Sequence, residues 1–542
     1  MPLHFNQHKH REAKRMAGWP AADHKVYKKV KVTRDELVQV QTSFDGTIVL
    51  PTDPDYDQDR SSNPLYNEYP KIIAYCSSPT DVQIALQWAH QKPDWVVTCR
   101  SGGHSTAGFS VNNGMVLDVS RINHVQIDTV NMLASVGAGA NWKQVIDELD
   151  AYQVHTITGD CGSVGVAGYT MGGGYGFTSR EFGMACDNVV EMLVMQQDGT
   201  RLTVSETSHP DLFWAMRGGT GNNFGVLLEI VYRLYNKNTF WGFGIRWPLE
   251  TPADVKNAAD ALTLLQGKYM KSGAPKELGH QTVLATMSDT DPNWNKKKAL
   301  AMFGMFDGSP EDGKNILAQL LTIPGADLFI DQVDTYKNLN GSLLDNHLYP
   351  PPPNADELNL AEYKRSGYIA KQLGPSDWLK VVNYFLTSPN IYDIVAIEAY
   401  GGTINAVPKY DTAFIHRDVY MDLFIDSFFD GKGTITSSKK ARQWLDGYME
   451  LMRPYFNGHV YQNYPVRGIP DFGTVYWDKK AFSRLSQVKL VYDKDNFFHF
   501  EQSIPPRIQP GARKTAPVKA SKSVMAKRKA SRSVLIKGPS PT

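Results

Sequence analysis

Eight glycines fall within the eighteen residues GDCGSVGVAGYTMGGGYG at 159–176. Backbone at this density of glycine passes close to something that a Cβ would obstruct, either a ligand or another stretch of chain. The spacers are Val164, Val166, Ala167, Tyr169 and Met171 rather than polar filler, so the segment reads as packed. Inward-pointing N–H groups of such a run suit a diphosphate. The candidate backbone positions are Gly159, Gly162, Gly165, Gly168, Gly172, Gly173, Gly174 and Gly176. No GxGxxG opens a helix here, so the dinucleotide fingerprint is absent. A mobile glycine-rich loop is the competing reading. A second cluster, RGGTGNNFGVLLEI (217–230), is either part of the same cradle or an ordinary turn.

At 542 residues the chain exceeds one ordinary core, and two domains are expected. KIIAYC (71–76), WVVTCR (95–100) and GMVLDVS read as strands, with a helix at 79–92. INHVQIDTVNMLASVGAGA continues in strands and NWKQVIDELDAYQ is helical. VVEMLVMQQDGTRLTVS forms a hairpin on the Asp198–Gly199 turn. HPDLFWAM is a helix and GVLLEIVYRLY a strand. From about 241 to 460 longer alternating strands (HQTVLATMSD, KALAMFGMFDG, DIVAIEAYGG, YMDLFIDSFFD) accompany amphipathic helices such as SSKKARQWLDGYMELMRPYF. That pattern suits an antiparallel sheet with helices on one face. YPPPPNAD (349–356) is a linker or surface loop.

Residues 507–542 hold ten Lys or Arg and no acid, against a whole-chain formal charge of +1. The body is therefore mildly acidic, which argues against nucleic-acid binding by it, and the tail reads as basic and disordered. Four cysteines without a CxxC pair make no disulfide framework. The start MPLHFNQHKHREAKRMAGWP has no apolar h-region, and no apolar run reaches spanning length, so a soluble cytoplasmic body is expected.

Three positions carry chemistry. His104 lies in RSGGHS after a strand, Cys161 heads the glycine run, and YQNYPVRG (461–468) lies near the C-terminus. No His or Cys stands at zinc-ligand spacing, so no metal is expected. A Cys–His nucleophile pair stays open on residue types alone.

RSGGHS, GDCGSVGVAGYTMGGGYG, GTGNNFGV and YQNYPVRG…WDKKAFSRLSQVKLVYDKDNFFHFEQSIPP together resemble the berberine-bridge-enzyme-like group of the vanillyl-alcohol-oxidase (PCMH-type FAD-binding) superfamily, over residues 65–506. The resemblance implies an α+β, two-domain FAD-linked oxidase fold. It divides the chain into an N-terminal extension (1–64), an FAD-binding domain (65–240), a substrate domain (241–460), a C-terminal segment returning to the FAD domain (461–506) and the tail (507–542). It also implies FAD bound bicovalently, with a His104 ring nitrogen on the 8α-carbon and Cys161 sulfur on C6. Arg100, Ser101, Gly102, Gly103, Ser105, the eight glycines, Val164, Tyr169, Asn223, Val226 and Asn463 are then cofactor-binding. Asn463 and Asn496 bond the flavin or brace the loop.

In the group's sugar oxidases a tyrosine, helped by a carboxylate, takes the substrate hydroxyl proton while hydride leaves for flavin N5. Tyr464 matches the base, Tyr461 a wall of the pocket, and Glu398, in IVAIEAYGG, the helper. A phenol of reference pKa roughly 10 needs such a proton acceptor near neutral pH. Val164, three residues after the cysteine, matches the small residue that admits oxygen, which implies an oxidase releasing hydrogen peroxide. Two positions depart from the group. Ala167-Gly168-Tyr169 stands where many relatives carry histidine, with Tyr169 as the substitute. Ala396 replaces the glutamine that touches the sugar in oligosaccharide oxidases. The expected function is an FAD oxidase of a small-molecule alcohol, a sugar among the candidates, using O2 and no membrane or nucleic-acid partner. The alternatives are an oxidase of an amine or of an alkaloid- or polyketide-like metabolite, and, from another class, a flavin-free binding protein or Cys–His hydrolase.

Overall fold

The computed structural model describes residues 15–507 apart from 289–290, 344–346, 349–359 and 431–434. The proline-rich loop at 349–356 and the basic tail from 508 onward lie outside the described residues.

Strands β1 (Thr47–Val49), β2 (Ile72–Tyr75), β3 (Val97–Arg100) and β4 (Met115–Asp118) form a sheet in the order β1-β2-β4-β3. β2, β4 and β3 run parallel, and β1 pairs antiparallel at the edge. Each parallel strand is short and almost fully buried, as a sheet covered on both faces requires, and the Arg100 that ends β3 is paired with Asp118 at the end of β4. The crossover helix Pro79–His90 starts where Ser78 accepts the Asp81 N–H and Pro79 occupies the first turn.

A second sheet holds β5 (Val125–Asp128), β6 (Leu133–Gly137), β7 (Val189–Met195), β8 (Arg201–Ser205) and β9 (Val226–Arg233), in the order β5-β6-β9-β7-β8 and antiparallel throughout. The hairpin expected on Asp198–Gly199 joins β7 to β8, with Met195 opposite Arg201.

The third sheet is built from β10 (Thr239–Pro248), β11 (Leu278–Thr286), β12 (Lys298–Phe306), β13 (Asp327–Thr335), β14 (Ala361–Ile369), β15 (Ile394–Ala399) and β16 (Met421–Phe429). Its order is β13-β10-β12-β11-β15-β16-β14, all antiparallel. Alternation sends Trp247, Leu284, Met302, Ile397 and Leu423 to one face. There they pack in a single core with Val255, Leu317, Trp378 and Trp444 of the covering helices. The opposite face contributes Val283, Ala285, Phe303, Ile394 and Ala396 to the core of the first two sheets. Helices thus cover one face, as the sequence implied, and the other faces the glycine-rich segments.

Three strands of this sheet escaped the sequence reading, β10, β13 and β14, as did β1 of the first sheet. β14, AEYKRSGYI, carries charges on both parities because its inward lysine is ion-paired inside the protein. The stretch 15–64, expected as an extension, adds β1 and buries Trp19, Val30 and Leu37 in the main core.

Candidate active site

A cavity of about 510 Å³ opens between the third sheet and the glycine-rich loops. Its floor comes from residues 99–106, 159–171 and 220–227, its roof from β11, β14, β15 and β16, and one wall from residues 461–465. The second glycine cluster contributes Thr220, Gly221, Asn222, Gly225 and Val226, so it belongs to the same cavity rather than to a remote turn.

The loop after β3 and the head of the glycine run touch backbone to backbone. A Cβ on Gly102 would lie 2.4 Å from the Gly165 nitrogen, and one on Gly165 would lie 2.4 Å from the Gly102 nitrogen. This contact brings the two expected attachment residues together. His104 Nε2 is 2.9 Å from Ser163 Oγ, and Cys161 Sγ is 3.3 Å from the same oxygen. Crowding by the cavity walls holds the His104 pKa below its ordinary value, leaving a neutral imidazole. The backbone N–H groups of residues 102–104 have no hydrogen-bond partner among the described residues, so they remain available to an anion. An imidazole and a thiol flanking one serine, spare backbone donors and a cavity of this volume together fit a flavin.

Gly159, Val164, Gly168 and Tyr169 also line the cavity, as do Ser101, Gly103 and Ser105. Arg100 lines it too, but its guanidinium is committed to Asp118, the Asp59 carbonyl and Tyr75 Oη. Tyr169 donates its hydroxyl to the Tyr175 carbonyl rather than into the cavity.

Six residues expected at the flavin lie outside the lining: Gly162, Gly172, Gly173, Gly174, Gly176 and Asn223. The GGG run is glycine because other chain segments pack on it and because Gly173 and Gly174 have positive φ. A Cβ on Gly172 would fall 1.8 Å from Asn463 Oδ1, and one on Gly173 would meet Phe414. The Gly174 N–H donates to Tyr461 Oη at 2.7 Å. Asn223 is a brace, accepting the Ile504 N–H at 2.8 Å and donating to the Gly221 carbonyl. Asn496 holds a left-handed turn after the helix Lys479–Tyr492, away from the cavity lining. Asn463 both lines the cavity and donates to the Tyr169 carbonyl at 2.9 Å. Gly172→Ala should cost about 1–3 kcal/mol, by overpacking, in the denaturant midpoint; an unchanged midpoint would show that Asn463 moves away at little cost.

The roof is ordered by strand register. One row across β11, β15, β16 and β14 reads Gln281, Glu398, Asp422, Tyr368. The next row on that face reads Val283, Ala396, Phe424, Ser366, and beyond it lie Ile394, Asp426 and Lys364. Tyr464 Oη donates to Glu398 Oε1 at 2.7 Å. Burial pushes the Glu398 carboxyl up to about 8, although the Tyr464 hydrogen bond and Lys364 oppose the rise. Burial, then the negative charges of Glu398 and Asp422, hold the Tyr464 phenol far above its ordinary pKa. Lys364 Nζ stands 4.8 Å from the Tyr464 ring centroid, paired with Asp426 and, at 3.3 Å, Glu362. Gln281 Nε2 donates to Asp160 Oδ2 at 3.0 Å. Lys364, Gln281 and Asp422 carried no motif and only the register gathers them, while Asp160 comes from the head of the glycine run. Among the described residues no helix is long and apolar enough to cross a membrane.

Residues 70–205 match the FAD binding domain family, and 460–505 match the berberine and berberine like family. YgaK, an uncharacterised FAD-linked oxidoreductase of Bacillus subtilis, is 30% identical over 476 residues, covering 86% of this chain and 98% of its own. The chain therefore belongs to the berberine-bridge-enzyme-like family of FAD-linked oxidoreductases. It is also similar to a xylooligosaccharide oxidase of Thermothelomyces thermophilus, at 25% identity over 427 residues, 75% of this chain and 82% of that one. Berberine bridge enzyme from Eschscholzia californica has the same fold, with a TM-score of 0.74 at 21% identity over 87% of this chain and 99% of that one.

Proposed function

We propose that the protein is an FAD-dependent oxidase of a small-molecule alcohol, with His104 and Cys161 as two covalent attachment points and Tyr464 as the base. The reading is carried by the 2.7 Å hydrogen bond from Tyr464 to Glu398 inside the cavity. Bound FAD supplies the hydride acceptor and the route of electrons to oxygen. Tyr464 is a neutral phenol at rest. Its oxygen takes the substrate hydroxyl proton as its own proton passes to Glu398. Once ionised, a carboxyl whose pKa is raised to about 8 by burial is a stronger proton acceptor than an exposed one, so turnover should rise with pH toward that value. Asn463 and Tyr461 fix the segment that carries Tyr464: Asn463 Nδ2 donates to Tyr461 Oη at 3.0 Å. Val164 lines the cavity beside Cys161, which fits oxygen access and peroxide release.

A second reading, oxidation of an amine or of an apolar secondary metabolite, is favoured by one feature of the roof. Ala396 stands between Val283 and Phe424, so the middle row of the roof is apolar at the position where a sugar would need a polar partner, with polar rows of Gln281 and Glu398 and of Asp426 and Lys364 on either side. A peroxide-release screen over sugars, amines and aromatic alcohols separates the two. Turnover of oligosaccharides supports the first reading, and turnover confined to aromatic alcohols or amines supports the second.

Mass spectrometry of proteolytic peptides tests the attachment. The wild type should carry flavin on a peptide spanning both His104 and Cys161 sites. His104→Ala should retain it on Cys161 alone, and flavin released intact by acid from the wild type would refute both links.

A further inference from the structure

Glu398 faces a second carboxyl. Asp422 is its register partner on the neighbouring strand β16, on the same face of the sheet. Directly opposed side chains of antiparallel strands stand about 4.5–5.5 Å apart at Cβ. Asp422 is fully buried, and neither of its carboxyl oxygens has a hydrogen-bond partner. Glu398 Oε2 also lacks one, while Oε1 receives the Tyr464 hydroxyl.

The groups around the pair are few. Tyr368 faces Asp422 from β14, Tyr400 follows β15, and Tyr464 comes from the C-terminal segment. Asp160 and Tyr461 act on Glu398 from the floor and wall. Lys364, whose charge favours the ionised form of both carboxyls, lies two rows away and is already paired with Asp426 and Glu362. Two carboxylates here would be a buried double negative charge without a cation of their own, which is strongly disfavoured. Two protonated carboxyls would leave Tyr464 with nothing to receive its proton.

We infer that Asp422 keeps its proton through the pH range in which Glu398 loses its own, so that the cross-strand pair holds one proton when it receives the Tyr464 proton. The asymmetry follows from the hydrogen bonds. Tyr464 donates its hydroxyl to Glu398 at 2.7 Å and stabilises its charge, whereas no side-chain donor reaches Asp422, on which only the Leu423 backbone N–H acts. Burial, and then the charge on Glu398, push the Asp422 pKa well above the ordinary carboxylate range. A neutral Asp422 spares Glu398 the repulsion of a second buried charge and, by a side-chain rotation, can turn its proton toward Glu398 Oε2. Asp422 is a positioning residue acting through Glu398, and its role in turnover rests on the proposed part of Tyr464. The proton count closes. The pair passes from one negative charge to none as Tyr464 becomes a phenolate, Tyr464 regains a proton from the substrate hydroxyl, and the pair releases one proton to solvent before the next turnover.

Infrared difference spectra of the holoenzyme test the protonation state without substrate. Wild type minus Asp422→Asn at neutral pH should show a protonated-carboxyl stretch, and its absence overturns the inference. Should that variant not fold, Glu398→Gln serves in its place. With the Glu398 charge gone, the Asp422 proton should leave about one pH unit or more below its wild-type position, and an unmoved titration overturns the inference. In turnover, Asp422→Leu removes the donor. The acid limb of kcat/KM should then move up by about one pH unit, with Asp422→Asn restoring it. A downward move would mean that Asp422 had been ionised, and would overturn the inference. If Tyr464→Phe left reduction intact, the base assignment would fall, while the infrared band would still decide the state of Asp422.

Discussion

Tyr464→Phe is expected to slow flavin reduction by about a hundredfold or more, the scale of lost general-base catalysis. Phenylalanine keeps the ring between Phe424 and Tyr461, whose centroids lie 4.9 and 5.0 Å from that of Tyr464, so packing is preserved. What disappears is the oxygen that donates to Glu398. The variant should still carry its flavin, because the expected attachment residues lie on other loops. Stopped-flow reduction with the substrate found by the peroxide screen measures the effect. A reduction rate within a factor of about three of wild type would remove Tyr464 from the role.

Asp493→Ala is expected to cost about 3–5 kcal/mol of stability, the scale for stranding a buried charge. Lys489 and Asp493 are both completely buried, with 2.6 Å between Nζ and Oδ2. Lys489 also donates to the carbonyls of Asn223 and Phe498, each at 2.6 Å. This ion pair joins the C-terminal segment to the second glycine cluster, and so holds the wall carrying Tyr464 against the floor. Urea denaturation followed by tryptophan fluorescence measures the loss. A change below about 1 kcal/mol would mean that Lys489 gives up its proton or that water reaches it.

The two glycine clusters were legible as close-approach segments because glycine content is local information. What they approach was not. Gly102 and Gly165 meet each other, whereas Gly172, expected against a diphosphate, makes room for Asn463 from 291 residues further along the chain. Asn223, placed at the flavin by resemblance, instead braces the Ile504 backbone. The antiparallel sheet with helices on one face could be anticipated from alternating runs such as KALAMFGMFDG. β14 could not, since its lysine faces inward, where ion pairs with Asp426 and Glu362 make it tolerable.

The sequence alone determined the local grammar: short apolar strands, capped helices, glycine-dense loops, and the four segments whose order places the chain among FAD-linked oxidoreductases. The tertiary structure decided which side chains meet. Tyr464 reaches Glu398 across 66 residues, and Glu398 faces Gln281 on one side and Asp422 on the other, because strand pairing sets register between segments distant in the chain. A one-residue slip in β16 would turn Asp422 to the opposite face and leave Glu398 without its second carboxyl. Composition and spacing carry no record of that register, which is fixed by packing on both faces of the sheet at once.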